Sequence, residues 1–209
     1  NTLYSYIDQG LIEGVSNESL WEKRKRSVRT RRVLCRSRKT PARRKSIEQR
    51  PHQVESREEF GHWEIDLVVG PAGSKAALMT LVERQTRKLI IRKLRDKTHA
   101  SVRRAINGIE REYGASVFRS TFKTITADNG KEFAYHKEVS EVLKCGYYFA
   151  DPYCSWQRGL NEKYQWAIKA VLAKRYRFKR VTQQEVSNVL LKLNNRPRKK
   201  LKYDMPAKL

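Results

Sequence analysis

Cysteine and histidine are scarce in this sequence, which has three cysteines and four histidines among 209 residues. Cys35, Cys145 and Cys154 form no CxxC pair, and an odd number of cysteines does not suit a disulfide framework. We therefore expect free thiols in a reducing compartment. The histidines show no ligand spacing with the cysteines, which argues against a structural zinc site.

Long apolar runs are also missing. None approaches the ~20 residues that span a bilayer, and no secretory signal opens the chain. We expect a cytoplasmic protein without a membrane partner. The sequence starts at Asn1 rather than at a methionine, which fits a piece of a longer protein.

Acidic residues are few relative to basic ones, 22 against 46, so the net charge is +24. That much positive charge opposes compaction unless an anionic partner offsets it, and DNA or RNA is the usual partner. A solvated basic surface, as in some ribosome-associated proteins, is the alternative, and it also implies nucleic acid.

The charge is densest in residues 23–50, where fourteen of twenty-eight residues are Lys or Arg. Apolar residues are too few there for a core, so we predict an extended basic arm. The segment could be a solvated linker, but an arm that follows DNA phosphates is favoured. The predicted DNA contacts in this arm are Arg24, Arg31, Arg32, Arg43, Arg44 and Lys45.

Residues before and after the arm carry regular patterns. Residues 1–22 show helical spacing of apolar side chains, and Gly10 is a predicted stop. From residue 59 onward, strand and helix patterns alternate. The predicted organisation is a short helical piece at 1–22, a basic extended linker at 23–58 and a compact domain at 59–209.

The compact domain is predicted to be α/β. The predicted strands are His62–Val69, Ala76–Glu83, Leu89–Leu94, Phe122–Ala127 and Tyr147–Ala150, and the predicted helices are His99–Tyr113, His136–Lys144, Leu160 to about Arg175, and one capped by Thr182. The order βββαβαβαα gives an antiparallel meander followed by parallel additions. This is the order of a ribonuclease-H-like fold, a mixed five-stranded sheet flanked by helices.

Three acids stand at the ends or centres of these elements. Asp66 lies inside the first strand, Asp128 closes the fourth, and Glu162 opens a helix with thirty-three residues between it and Asp128. Each alone has an ordinary explanation: a solvent-facing strand position, a turn, or a helix N-terminus. Together they converge in the proposed fold and could hold two Mg²⁺ ions about 3.5–4 Å apart for displacement at phosphorus. All three are predicted to be both catalytic residues and metal ligands.

The helix after Glu162 carries further candidates. Lys169 lies two turns beyond Glu162 on the same face and could meet a phosphate, and Gln165 could contact DNA bases. Trp166 shares that face, but a core position is the default expectation for a tryptophan. Other nearby acids are expected to form salt bridges rather than bind metal, namely Glu64, Glu83, Glu132 and Asp151.

At these residues the chain resembles DDE transposases of the insertion-sequence-thirty family. The matching blocks are Gly61-His-Trp-Glu-Ile-Asp66, Thr80-Leu-Val-Glu-Arg, Thr126-Ala-Asp128-Asn-Gly, Trp156-Gln-Arg-Gly-Leu-Asn-Glu162 and Leu193-Asn-Asn-Arg-Pro-Arg. The resemblance covers about residues 59–209, and the opening of the chain is similar to the end of that family's helix-turn-helix region. After Glu162 the sequence departs from the family pattern, with Lys163-Tyr-Gln-Trp-Ala.

The resemblance implies a retroviral-integrase-like core. It implies an assembly, a homodimer or larger, that acts on terminal inverted repeats and target DNA, in the cytoplasm and at the nucleoid. It implies two Mg²⁺ (or Mn²⁺) ions for strand cleavage and transfer, with Asp66, Asp128 and Glu162 as the triad. Arg158, within the block that ends at Glu162, is a further predicted DNA contact.

Two other functions remain open from the sequence. A nuclease of the same fold that cuts RNA–DNA hybrids would share the three acids, and a non-catalytic DNA-binding transposase relic would share the basic surface. A basic RNA-binding module has less support, because the sequence has no recognisable aromatic RNA-reading signature.

Overall fold

The computed structural model describes residues 6–7, 9–15, 44–70, 74–152, 154–172, 178 and 181–209, without the side chains at 142, 155, 162, 163 and 170–172. The chain divides into two units, Asn1–Arg36 and Ser37–Leu209. In the first unit, Tyr6 and Ile7 are helical, and the N–H groups of Leu11 and Gly10 return to the carbonyls of Tyr6 (3.0 Å) and Ile7 (3.1 Å). Gly10 has φ 70°, so this is a Schellman-type helix end and confirms the predicted stop.

The second unit is built on one five-stranded sheet. Its strands are β1 (His62–Val69), β2 (Ala77–Glu83), β3 (Leu89–Leu94), β4 (Thr124–Ala127) and β5 (Gly146–Phe149). The order across the sheet is β3-β2-β1-β4-β5, with antiparallel pairs among β1, β2 and β3 and parallel pairs from β1 to β4 and from β4 to β5. The predicted mixed sheet is confirmed, and the bounds of β1 and β3 match the sequence prediction.

Six helices accompany the sheet in the described residues. They are α1 (Gln53–Ser56), α2 (His99–Tyr113), α3 (Ala115–Thr121), α4 (His136–Val142), α5 (Gly159–Leu172) and α6 (Gln183–Asn194). Thr98 caps α2 through Ser101 N–H, and Thr182 caps α6 in a capping box with Glu185, as their sequence positions predict. Among the described residues, no helix is long and apolar enough to cross a membrane.

Helix α3 was not predicted. Gly114, with φ 76°, ends α2 as expected, but it is also the N-terminal cap position of α3. A glycine after a helical pattern predicts the end of a helix. The sequence analysis therefore placed no second helix directly after Gly114. Phe122, predicted to begin the fourth strand, instead stacks between Phe118 (4.3 Å between ring centroids) and Trp63 (4.6 Å).

Both faces of the sheet are covered. One core contains Trp63, Ile65 and Leu67 of β1, and a second core contains Val68 with residues of α5 and α6. Because successive strand side chains point to opposite faces, Glu64 and Asp66 share the face of Val68. The position of the first acid in the fold therefore follows from the apolar alternation of β1.

The described part of the predicted linker packs on this same unit. A short 3₁₀ helix at Ile47–Gln49 and α1 lie there, Ser46 pairs with Phe149 at the edge of the sheet, and Val54 is fully buried. Arg50 donates to Thr126 Oγ1 at 2.9 Å. Residues 44–57 are thus folded against the β4–β5 side rather than extended, while Arg24, Arg31, Arg32 and Arg43 lie outside the described residues.

Candidate active site

The parallel register of β1 and β4 places Asp66 and Asp128 next to each other. Thr126 of β4 pairs with Glu64 of β1, so two residues further along both strands Asp128 comes opposite Asp66. Asp66 is mostly buried, and its Oδ1 accepts a hydrogen bond from the N–H of Leu67 at 2.7 Å. Asp128 follows the last residue of β4, and its Oδ1 accepts from Gly130 N–H at 2.9 Å. The two predicted acids therefore lie next to each other on two neighbouring central strands, where β4 ends.

Arg158 bridges these two carboxylates. Its Nη1 donates to Asp66 Oδ2 at 2.9 Å, and its Nη2 donates to Asp128 Oδ2 at 3.1 Å. Nη1 also lies 3.3 Å from the carbonyl oxygen of Ile65. Arg158 ends the 3₁₀ helix Ser155–Arg158, which leads directly into α5. The sequence predicted Arg158 as a DNA contact, whereas in the structure it pairs with the two acids.

The electrostatics of Asp66 follow from its surroundings. Burial raises the pKa of Asp66 above its ordinary value, because the charged form loses water. The Arg158 guanidinium opposes this shift, and the negative charge of Asp128 adds to it. The guanidinium therefore offsets part of the cost of burying the Asp66 carboxylate.

Glu162 is placed by the helix that follows Arg158. Its backbone lies in α5, close after the helix start at Gly159, and α5 contacts β1. Its side chain lies outside the described part of the structure. Among the described residues, no group of three His, Cys, Asp or Glu side chains forms a metal cluster. Two of the three predicted acids are therefore seen together, and the third stays a prediction.

Asn161 is a residue that the sequence analysis did not single out. It is 1% exposed, and within the described residues neither its amide nitrogen nor its amide oxygen has a hydrogen-bond partner. A buried amide left unpaired is costly, so such a group often marks a functional position. Its place directly before Glu162 was the only signal in the sequence.

The predicted DNA contacts on α5 lie at accessible positions. Lys169 is exposed and Gln165 is half-buried. Trp166 is 74% exposed, so the expectation of a core position was wrong. The reason is helical geometry: Tyr164 and Ile168 are buried, and residue 166 lies about 200° around the helix from each of them.

Arg44 and Lys45 reach the neighbourhood of Asp128. The Arg44 guanidinium donates to the carbonyl of Gly130 at 3.2 Å and lies 4.6 Å from the centre of the Phe149 ring. The carbonyl of Lys45 accepts from Phe149 N–H at 2.9 Å, and its side chain is exposed. These last residues of the basic arm are thus tied to the edge of the sheet beside the acids.

Three of the other acids have structural partners, and of these Glu64 forms the expected salt bridge while Asp151 and Glu83 accept hydrogen bonds from uncharged groups. Glu64 pairs with Arg84 at 2.8 Å, and Asp151 accepts from Gln157 Nε2 at 2.9 Å. Glu83 accepts from the N–H of Gln85 at 2.8 Å and so shapes the turn between β2 and β3. These contacts explain why the three residues are present without invoking metal.

Solved structures identify the class of fold. The chain is similar to the crystal structure of the catalytic core domain of BIV integrase, with a TM-score of 0.55 and 20% identity over 72% of this chain and 93% of that one. It is also similar to a simian T-cell lymphotropic virus intasome in complex with PP2A regulatory subunit B56 gamma, with a TM-score of 0.58 and 16% identity over 71% of this chain and 53% of that one. The fold is that of an integrase catalytic core, which is ribonuclease-H-like.

Sequence relatives give the family. The transposase for insertion sequence element IS4351 of Bacteroides fragilis is 36% identical over 220 residues, covering 96% of this chain and 66% of the relative. Transposase InsI for insertion sequence element IS30C of Escherichia coli (strain K12) is 37% identical over 163 residues, covering 78% of this chain and 41% of the relative. The chain belongs to the insertion-sequence-thirty family of transposases. It spans less than two thirds of the length of these relatives, and no protein-family model matches it.

Proposed function

We propose that this chain carries the catalytic domain of a DNA transposase that cleaves and joins strands at the ends of an insertion sequence. The observation that carries the proposal is the convergence of Asp66 and Asp128 on one cationic group, at the end of β4 and beside the start of α5. The relatives in the insertion-sequence-thirty family support this function. The integrase-like fold also supports a catalytic site at these two central strands.

The proposed catalytic triad is Asp66, Asp128 and Glu162, which would hold divalent ions, Mg²⁺ or Mn²⁺. The residues present fit such ions, because two carboxylates already share one cation and oxygen ligands are those that Mg²⁺ prefers. When bound, the ions supply Lewis-acid activation of the attacking oxygen and stabilisation of the leaving oxygen at phosphorus. The protein's part is to hold the carboxylates on rigid strands, with Asp66 Oδ1 fixed by Leu67 N–H.

DNA is the proposed partner. The net charge of +24 favours a phosphate backbone and steers its approach. On α5, Lys169, Gln165 and Trp166 are at accessible positions beyond the acids, so DNA held there would have a phosphodiester near the triad. Arg44 lies on the other side of the site, at the loop after Asp128.

The organisation of the chain is part of the proposal. Residues 1–22 would be the end of a helix-turn-helix region, residues 23–58 a basic connection, and residues 59–209 the catalytic domain. Because residues 44–57 pack against the sheet, the end of the connection would be anchored beside the active site rather than free. The proposed assembly is a homodimer or larger, acting on terminal inverted repeats and on target DNA.

Nicking and joining of labelled linear and supercoiled DNA, with and without Mg²⁺, tests this function. Asp66→Asn, Asp128→Asn and Glu162→Gln should each abolish metal-dependent cleavage while retaining DNA binding. Glu112→Gln, at an exposed acid paired with Arg92, is the matched control and should remain active. The same assay with an RNA–DNA hybrid separates a transposase from a hybrid-cutting nuclease.

Three results would contradict the proposal. Preferential cleavage of the hybrid would favour the nuclease. DNA binding without cleavage would favour a non-catalytic relic if it were found both for this chain and for a longer protein of the length of its relatives. Cleavage that survives all three acid substitutions would show that the chemistry lies elsewhere.

A further inference from the structure

The Arg158 guanidinium is held as a counter-cation between two acids. Its side chain is 11% exposed, the Asp66 side chain is 13% exposed, and each of two terminal nitrogens bonds a different carboxylate. A planar guanidinium can make both contacts at once because its donors are fixed in a fork. One positive charge therefore offsets two negative charges beside the end of β4.

The guanidinium occupies one oxygen atom of each carboxylate. Arg158 bonds Oδ2 of Asp66 and Oδ2 of Asp128, while each Oδ1 accepts from a backbone N–H, of Leu67 or Gly130. Both carboxylates are thus already engaged, at Oδ1 by a backbone N–H and at Oδ2 by the guanidinium. A metal ion held by both carboxylates would have to compete with the Arg158 guanidinium for their negative charge.

We propose that Arg158 is a positioning residue that holds Asp66 and Asp128 together before metal binds and competes with the metal for them. Metal loading then requires the guanidinium to leave both carboxylates. This inference rests on the proposed function, since it takes the two acids to be metal ligands. It gives Arg158, which the sequence analysis predicted only as a DNA contact, the role of an internal cation that competes with the metal.

The position of Arg158 allows such a release. It is the last residue of a short 3₁₀ helix, followed by Gly159 at the start of α5. Among the described residues its Nε is buried and has no hydrogen-bond partner, so the carboxylates and the Ile65 carbonyl are the contacts that hold the guanidinium. Losing two charge-assisted hydrogen bonds is therefore the main opposition to metal entry.

The test compares Mn²⁺ binding and thermal stability in the 209-residue chain and in three variants. Arg158→Gln removes the charge, Arg158→Lys keeps the charge without the fork, and Arg103→Gln is a control that removes one charge from an exposed ion pair with Glu138. Mn²⁺ affinity is measured by titration calorimetry, and the melting temperature is measured without metal and at saturating Mn²⁺.

Arg158→Gln should melt at a lower temperature than the native chain without metal, because the two carboxylates then repel each other. It should bind Mn²⁺ about tenfold more tightly or better, the factor that corresponds to losing charged hydrogen bonds of about 1.5–3 kcal/mol. Saturating Mn²⁺ should restore most of its melting temperature. Arg158→Lys should fall between the two proteins, and Arg103→Gln should match the native chain.

The outcomes separate this inference from the proposed function. If Arg158→Gln lowers the melting temperature equally with and without Mn²⁺ and leaves Mn²⁺ affinity unchanged, Arg158 is a structural residue and the inference is overturned while the metal site stands. If neither the native chain nor Arg158→Gln binds Mn²⁺, the metal-dependent function itself is overturned, and the competition with it.

Discussion

The guanidinium of Arg84 donates to the carboxylate of Glu64 at 2.8 Å, and the two side chains are 1% and 0% exposed. Glu64 lies two residues before Asp66 on the same face of β1, so this ion pair is adjacent to the candidate site along the strand. Burial raises the pKa of Glu64 and lowers the pKa of Arg84, and each partner opposes the shift of the other. Arg84 also reaches Glu55 of α1 at 3.2 Å, which ties the segment before the sheet to β1.

Breaking this buried pair should destabilise the fold strongly. Arg84→Met leaves Glu64 charged and unpaired, so the free energy of unfolding should fall by about 3–5 kcal/mol. The double variant Arg84→Met/Glu64→Leu should recover much of that loss, because neither charge of the pair is then left buried without its partner. Urea denaturation of both single variants and the double variant gives the coupling.

The exposed pair of Arg103 and Glu138 provides the comparison. Glu138→Gln should change the free energy of unfolding by about 1 kcal/mol or less, as is usual for surface ion pairs. A similar small change for Arg84→Met would show that water enters the Glu64 site.

Much of the fold could be predicted from local sequence. The alternation in His62–Val69 defined β1, and the caps at Thr98 and Thr182 defined two helix starts. The strand and helix order then fixed the mixed sheet, because parallel strands need crossover connections. The adjacency of Asp66 and Asp128 on neighbouring parallel strands follows from that topology.

The contacts between distant residues could not be predicted. Arg158 is 92 residues from Asp66 and 30 from Asp128, and no local pattern distinguishes it from the many other arginines. The exposure of Trp166 depends on which face of α5 meets the sheet, which the residue type alone does not determine. Such features arise from three-dimensional packing rather than from periodicity.

The start of α2 should give a pH-dependent contribution to stability. Asp96 accepts from Ser101 Oγ at 2.6 Å, from Thr98 Oγ1 at 2.5 Å and from Thr98 N–H at 3.1 Å, and these hydrogen bonds lower its pKa from 3.8 to about 2. Because the folded pKa lies below the unfolded one, the contribution is fully present above about pH 4 and is lost as the pH falls toward 2.

Asp96→Asn should therefore lower the melting temperature at neutral pH, and the difference from the native chain should shrink as the pH falls through this window. Thermal melts at several pH values provide the measurement. A difference that stays constant with pH would mean that the ionised carboxylate is not the stabilising form.

The cysteines should differ in reactivity. Cys145 is 2% exposed, and burial raises the pKa of its thiol to about 12, so thiolate is almost absent at neutral pH. Cys154 is half-buried. In a Cys35→Ser background, a thiol reagent should modify Cys154 in the folded protein and Cys145 only after unfolding.

Cys154→Ser in that background should remove the native-state reaction. Unfolding with denaturant should then make one thiol accessible to the reagent. Mass spectrometry of the labelled peptide should identify it as Cys145. Rapid labelling of Cys145 in the folded chain would show that the core around β5 opens readily.

Trp156 and Trp166 should bind DNA bases. Both are 74% exposed, and they lie two residues before Arg158 and four residues after Glu162. Large exposed aromatic side chains offer stacking surfaces for bases, each worth about 1–3 kcal/mol when lost. Because stacking needs an unpaired base, the effect should be larger on DNA with a frayed or single-stranded end than on a blunt duplex.

Trp156→Ala and Trp166→Ala should each leave the melting temperature nearly unchanged, since surface substitutions usually alter stability by about 0.5 kcal/mol or less. Each should weaken binding to the frayed end by about fivefold or more, measured by fluorescence anisotropy. Tyr203→Ala, at a side chain that is 70% exposed, serves as the matched control and should bind normally. Equal losses on frayed and blunt DNA would point to a general loss of contact area, and a large fall in melting temperature would assign the tryptophan to packing instead.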